Sequence, residues 1–297
     1  MEIRVLRYFL AVARERSISG AAEVLHISQP TLSRQLMDME EKLGTQLFIR
    51  GNRRISLTEE GMFLRKRAEE IIDLIDKTEA EIISSDEIIS GDIYIGAGET
   101  DVMRLIARAA KKLQEDYPNI RYHIFSGNEE DVTEKLDRGL LDFGLLIEPT
   151  DTVKYEKLKL PAVDTWGVLM RKDSPLADKD TITAKDLWDV PLICSKQIFE
   201  NYRNILSKWL KKDAENLNIA ATYNLLYNAS IMVEESFGYA LCLDKIIKTP
   251  DDGILCFRPF SPALEVSLDI VWKKYQVFSK AAELFLKRMH KEFDETE

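Results

Sequence analysis

The segment that most restricts the folding of this 297-residue chain opens on Ser28-Gln29-Pro30 and closes on Leu43-Gly44. A serine oxygen can accept from the free N–H groups of a first helical turn. Proline costs little in that turn, where N–H groups lack helical partners anyway. Glycine can take the left-handed conformation that ends a helix. The spacing therefore predicts a helix over Gln29–Leu43 with both ends fixed locally. At about 100° per residue, Leu32, Leu36, Met39 and Leu43 share one face, the expected buried stripe. The opposite face begins with Pro30, Arg34 and Met37, flanked by Gln29, Thr31 and Ser33. Entry into a DNA major groove calls for small or hydrogen-bonding side chains at that end of a helix. An ordinary amphipathic surface helix shows the same pattern, so the neighbouring residues must decide.

Residues 3–15 place Ile3, Leu6, Phe9, Leu10 and Ala13 on one helical face. Ser17-Ile18-Ser19-Gly20 then offers a cap to a short helix carrying Ala21, Ala22 and Leu25, whose small side chains let another helix approach. His26 falls in the turn before Ser28 and reads as structural. Beyond Gly44, Leu47-Phe48-Ile49 and Ile55-Ser56-Leu57 predict two short strands around the turn Arg50-Gly51-Asn52-Arg53-Arg54. Three arginines in one turn suit a grip on phosphate or the minor groove, against the plain alternative of a solvated loop. The neighbouring helices favour the grip, and charge placement agrees with it, although chance fluctuation could give the same asymmetry. The chain carries −10 overall, but residues 1–58 hold nine bases and six acids, a net +3 that leaves −13 on the remainder.

Three stretches carry a family resemblance. Ser19-Gly20-Ala21-Ala22-Glu23-Val24-Leu25-His26-Ile27-Ser28-Gln29-Pro30-Thr31-Leu32-Ser33-Arg34-Gln35-Leu36 is followed by Glu40-Glu41-Lys42-Leu43-Gly44-Thr45-Gln46-Leu47-Phe48-Ile49-Arg50 and by Leu57-Thr58-Glu59-Glu60-Gly61. Ungapped across most of residues 1–61, this resembles the winged helix-turn-helix of LysR-type transcriptional regulators, including the Ser-Gln-Pro, Ser-Arg, Leu-Gly, Leu-Phe and Leu-Thr-x-x-Gly elements. The resemblance implies that Gln29, Pro30 and Thr31 face bases. It implies that Ser33, Arg34, Arg50 and Arg53 contact phosphate or the minor groove, with Arg54 at the same hairpin tip.

Thr58 is placed to cap a long helix, with Glu59 and Glu60 favouring the dipole of its first turn. Gly61, Leu64, Ala68, Ile71, Ile75, Thr78 and Ile82 alternate steps of three and four, a heptad seam of the kind that pairs helices. Packing on the chain's own body is the alternative. Pairing between chains is preferred because DNA-binding heads commonly act as dimers on two half-sites, and the resemblance implies a homodimer or homotetramer. Ser84 to Gly91 breaks the pattern and predicts a hinge.

From residue 92 strands and helices alternate: a strand at Asp92–Ala97, a helix at Asp101–Tyr117, a strand at Ile120–Phe125, a helix at Val132–Arg138 and a strand at Phe143–Ile147. A second series has strands at Trp166–Arg171, Leu192–Cys194, Ala221–Leu225 and Tyr239–Leu243. Helices are expected at Asp186–Trp188, Asn201–Lys211 and Ala229–Phe237, and a strand at Ser267–Trp272 precedes a closing helix at Ser279–Phe293. The beat implies an α/β fold with a parallel sheet covered by helices on both faces. Two lobes joined by crossing strands, with Asp142-Phe143-Gly144 after Leu140, resemble the family's effector-binding domain, a relative of periplasmic binding proteins. The expected division is a winged head at 1–58, a linker helix and hinge at 59–90, and an effector unit at 91–297. Its lobe I takes 91–161 and 267–297 and its lobe II takes 162–266.

Ligands of such sheets bind beyond the carboxyl ends of strands. In the family the cleft between lobes takes a small effector, often an anion held by hydroxyls and helix N-termini, which points here to Thr100, Ser126, Asn128, Ser195, Lys196 and Asn228. Glu99 departs from that pattern, with Asp101 nearby. A carboxylate there disfavours an anion unless Lys196 pairs with it, so a neutral or amine-bearing effector is expected; a cap on the following helix is the bland alternative.

The hydrophobic share of 45% and charged share of 31% exclude a disordered or fibrous chain. No apolar run approaches the ~18 residues of a membrane span, and Met1-Glu2-Ile3-Arg4 does not read as a signal peptide. Cys194, Cys242 and Cys256 predict reduced cytoplasmic thiols; a redox role for Cys194 is the minor alternative. No metal, phosphate-loop, dinucleotide or nucleophile motif occurs, and His123 and His290 join no cluster. The reading is a cytoplasmic, non-catalytic transcriptional regulator with no cofactor. Its expected partners are operator DNA, a small effector, further copies of itself and RNA polymerase, with no membrane. A DNA-binding architectural protein without an effector, or an enzyme with an α/β body, are the alternatives.

Overall fold

The computed structural model describes residues 1–51, 55–83, 89–148, 150–196, 203–211 and 216–293. Arg53 and Arg54 of the expected hairpin tip and hinge residues 84–88 lie outside these, as do the side chains of Arg50 and Ile82. The chain divides into two units, Met1–Ile83 and Ser84–Glu297.

The first unit runs α1 (Ile3–Glu15), α2 (Ile18–Val24), α3 (Gln29–Leu43), β1 (Phe48–Arg50), β2 (Ile55–Leu57) and α4 (Glu59–Ile83). Its caps follow the sequence logic. Ser17 Oγ accepts from Gly20 N–H at 3.2 Å and Ser28 Oγ from Thr31 N–H at 3.3 Å. Gly44, at φ +68°, ends α3. Leu32, Leu36 and Met39 are buried with Phe9, Val12, Ala21 and Ala22 in one core. The expected stripes shift at two places. Leu43 is 46% exposed, because the core stops at Met39 and the chain turns away at Gly44. In α1 the buried arc is Val5, Leu6, Phe9, Ala11 and Val12, leaving Ile3 48% exposed. That helix packs against α2, α3 and α4 together, which widens and rotates the face it must bury.

The expected inter-chain seam of α4 is also divided. Gly61, Ala68 and Ile72 are buried within the chain's own head, with Leu64 packed beside them. Ile71 is exposed, as are Leu74, Met62 and Phe63. A straight helix turns every 3.6 residues, so the row through Ala68 continues to Ile72 along α1, while Ile71 drifts off it. The first half of the seam therefore serves intramolecular packing, and a different stripe remains uncovered.

The second unit comprises β3 (Ser90–Ala97), α5 (Met103–Asp116), β4 (Asn119–Ser126), α6 (Glu129–Asp137), β5 (Phe143–Ile147), β6 (Tyr155–Arg171) and a 3₁₀ turn at Ala184–Leu187. It continues through β7 (Leu192–Ser195), α7 (Arg203–Leu210), β8 (Ile219–Tyr223), α8 (Leu226–Glu234), β9 (Tyr239–Leu243), β10 (Leu255–Pro259), β11 (Glu265–Lys273) and α9 (Lys280–Phe293). Strand order is β4-β3-β5-β11-β6-β9-β7-β8, with β10 also on β6. The sheet is mixed rather than parallel throughout. β3 runs parallel to β4 and β5, and β7 to β8 and β9, whereas β11 and β6 join the two sets by antiparallel pairing. β6 is a single 17-residue strand, longer than the expected Trp166–Arg171. Its first half lacks an apolar run and contains Pro161, which reads as a break. One apolar core gathers around Phe143 and Phe285 and another around Val168, Cys194 and Leu241, with smaller clusters around Leu169 and Val132.

Candidate functional site

The amino end of α3 is open. Gln29, Pro30, Thr31 and Arg34 are exposed and Ser33 is half-buried. Ser28 Oγ and Thr31 Oγ1 share a hydrogen bond of 2.7 Å, which fixes the first turn. Arg34 has no ion-pair partner among the described residues, unlike Arg4, Arg7 and Arg14, which meet Glu2, Asp76 and Glu15. The structure thus brings five of the expected DNA-facing residues to one helix end. Arg50 sits in β1 opposite Ile55; its side chain, Arg53 and Arg54 lie outside the described residues.

Nothing in the sequence indicates what Glu40 does. Its Oε1 accepts from the N–H of Leu47 at 2.8 Å and of Phe48 at 3.1 Å. The carboxylate ties α3 to the first strand of the hairpin. A glutamate seven residues before an apolar strand gives no sequence signal for this contact.

In the second unit a cleft opens at the carboxyl ends of β3 and β7. Of the expected effector residues, Glu99, Asn128 and Ser195 line it; Thr100, Ser126, Lys196 and Asn228 lie outside the lining. Asn128 also caps α6, accepting from Asp131 N–H at 2.9 Å. Thr100 turns the other way: its Oγ1 donates to Asp164 at 2.5 Å and accepts from Val102 N–H at 3.0 Å. Ser126 is exposed at the end of β4, and Lys196 and Asn228 are exposed as well. Glu99 neither pairs with Lys196 nor caps the helix that follows it. Its Oε2 accepts from the N–H of Leu226, the first residue of α8. Trp166, Tyr223, Ile147 and Leu243 complete much of the wall and were not foreseen, because apolar strand ends look like core.

Burial pushes the Asp164 carboxyl up to about 6, against the pull of Thr100 and with a further push from Asp244. Cys194, Cys242 and Cys256 are free and buried, and burial pushes the Cys194 thiol up to about 12, well away from a reactive thiolate. Among the described residues no group of three or more His, Cys, Asp or Glu could hold a metal ion, and no helix is long and apolar enough to cross a membrane.

A three-helix head with a β-hairpin, followed by a two-lobed α/β unit with a cleft, is an architecture able to join nucleic-acid binding to ligand binding, with the role itself to be read from the sites and the relatives. Comparison with known proteins supplies the family. The profile described as "Bacterial regulatory helix-turn-helix protein, lysR family" matches residues 3–62, and "LysR substrate binding domain" matches residues 87–294. The chain belongs to the LysR family and is a DNA-binding transcriptional regulator with a substrate-binding effector domain. It is 27% identical over 290 residues to the uncharacterized HTH-type transcriptional regulator YvbU of Bacillus subtilis (strain 168), covering 96% of this chain and 97% of that one. It is 28% identical over 281 residues to the Hca operon transcriptional activator HcaR of Escherichia coli (strain K12), covering 92% of each. The crystal structure of full-length CbnR complexed with target DNA shares the fold at TM-score 0.75 and 18% identity, covering 98% of this chain and 100% of that one.

Proposed function

We propose that α3 enters the major groove by its amino end, with Gln29, Pro30 and Thr31 at base edges and Ser33 and Arg34 at phosphates. Arg50, Arg53 and Arg54 act from the hairpin on phosphate or the minor groove. The observation that carries this reading is the set of exposed polar side chains there, led by an Arg34 with no acidic partner among the described residues. A free guanidinium beside a helix N-terminus suits a phosphate contact. The head at 1–58 and the linker at 59–90 work in a homodimer or homotetramer on a roughly palindromic site. The exposed Phe63, Ile71 and Leu74 of α4 support pairing. The cleft of the 91–297 unit takes a small effector at Glu99, Asn128 and Ser195, which biases how subunits sit on DNA. The protein acts in the cytoplasm, contacts RNA polymerase and catalyses no reaction.

Salt-titrated binding to the best genomic site tests the reading. Arg34→Ala weakens binding to all sequences and lowers the salt slope by about 1 per subunit, because one counterion-releasing contact is lost. Gln29→Ala chiefly relaxes base preference. Parent-like binding by both variants would reject the placement of α3.

A further inference from the structure

We infer that Glu99 is the cleft's own anion and that it selects a cationic effector, an amine on a hydrocarbon body. This rests on the cleft being the effector site proposed above. Helix α8 begins without a cap from its own segment: Leu225 offers no side-chain acceptor, and its first turn holds no acid. The free N–H groups of such an end form a partly positive seat for an anion. Glu99 fills that seat from across the cleft, 127 positions earlier in the chain. An incoming anion must therefore evict the Glu99 carboxylate or lie against it, and either arrangement is repulsive in a partly dry site.

The rest of the wall favours the opposite charge. Among the described residues lining the cleft, Glu99 is the one that carries charge. Trp166 and Tyr223 supply aromatic surface, and Ile147 and Leu243 aliphatic surface. An ammonium group gains from a carboxylate and from ring faces, and its hydrocarbon body gains from the apolar walls. The charged groups around Thr100 add no positive surplus: Asp101 pairs with Arg104 at 2.6 Å and Asp244 with Lys245 at 2.7 Å, while Asp164 is held by Thr100.

The test is calorimetric titration of the full-length protein with 2-phenylethylamine and 3-phenylpropionate, similar bodies of opposite charge. The parent is expected to bind the amine at least about tenfold more tightly than the carboxylate. Glu99→Ser empties the seat on α8, so carboxylate affinity is expected to rise at least about tenfold above the parent. Glu99→Gln keeps an acceptor for Leu226 N–H but removes the charge, so it is expected to lose the preference for the amine even if the serine variant folds poorly. A blocking change locates the binding. Gly98 lines the cleft, and a Cβ there would make only an ordinary contact, 3.7 Å from Gly127 O, so Gly98→Leu is chosen to add bulk at the cleft wall. Carboxylate binding gained by Glu99→Ser and abolished by added Gly98→Leu supports the inference. No gain in Glu99→Ser, or a parent without the amine preference, overturns it and leaves the cleft as an effector site. A gain that survives Gly98→Leu overturns the cleft reading as well.

Discussion

Removing the Glu40 carboxylate is expected to loosen the hairpin of the head before it affects anything else. The ladder between β1 and β2 pairs Phe48 with Leu57, and Thr58 N–H bonds Leu47 O. In that register the Phe48 N–H points away from β2. It goes to Glu40 Oε1, as does the Leu47 N–H. Each hydrogen bond to a charged group contributes about 1.5–3 kcal/mol, and the two share one acceptor, so their sum is incomplete. Glu40→Ala is expected to cost roughly 2–4 kcal/mol of local stability, whereas Glu40→Gln keeps the acceptor and costs about 1 kcal/mol. Hydrogen exchange on the full chain reads this directly. Protection of the Leu47 and Phe48 amides should fall roughly 30-fold or more in Glu40→Ala and several-fold in Glu40→Gln, with α1 unchanged. DNA affinity should weaken in the same order, since the hairpin loses its tie to α3. If both amides in Glu40→Ala exchange at the parent's rates, the carboxylate is not what holds β1 to α3.

Three further outcomes follow from the packing and the buried groups. A Cβ on Gly61 would stand 2.2 Å from Leu47 O, so Gly61→Ala should force α4 from β1 and cost roughly 1–3 kcal/mol, seen as a lower thermal midpoint of the head. Folded Asp164 holds its proton more tightly than the unfolded chain, at about 6 against 3.8. Its contribution to stability therefore falls as pH rises from about 4 to about 6, by at most about 3 kcal/mol. Asp164→Asn should flatten that fall in calorimetric scans compared with the parent; identical pH profiles would refute it. The native Cys194 thiol, pushed up to about 12, should resist alkylation at pH 8 until the chain is denatured.

The head was legible because its signals are local. Ser17, Ser28, Pro30 and Gly44 fix helix ends within a few residues, and the structure uses them as read. What escaped depends on partners distant in sequence. Nothing near Glu40 indicates that Leu47 and Phe48 will need an acceptor, and nothing near Glu99 indicates an uncapped helix at Leu226. The α4 seam was misjudged in part because a heptad pattern and a helix packed on its own head differ only by the drift from Ile71 to Ile72. Likewise, strand alternation in residues 92–147 predicted parallel pairing correctly for β3, β4 and β5. The antiparallel joins through β6 and β11 are a matter of topology, which periodicity does not encode.

The paired run of β6 and β11 has a consequence for how such a chain can be rearranged. The polypeptide leaves the lobe around Phe143 along β6 and re-enters it along β11, and these strands pair at Tyr155–Lys159 and again at Val163–Thr165, with a register shift between. Adjacent strands lie about 4.8 Å apart, so the lobe between them in sequence hangs from two chain ends that emerge side by side. It is wired as a cassette. A foreign lobe whose termini lie equally close could be grafted at that doorway with the host sheet intact, giving the same operator reader a different chemical sense.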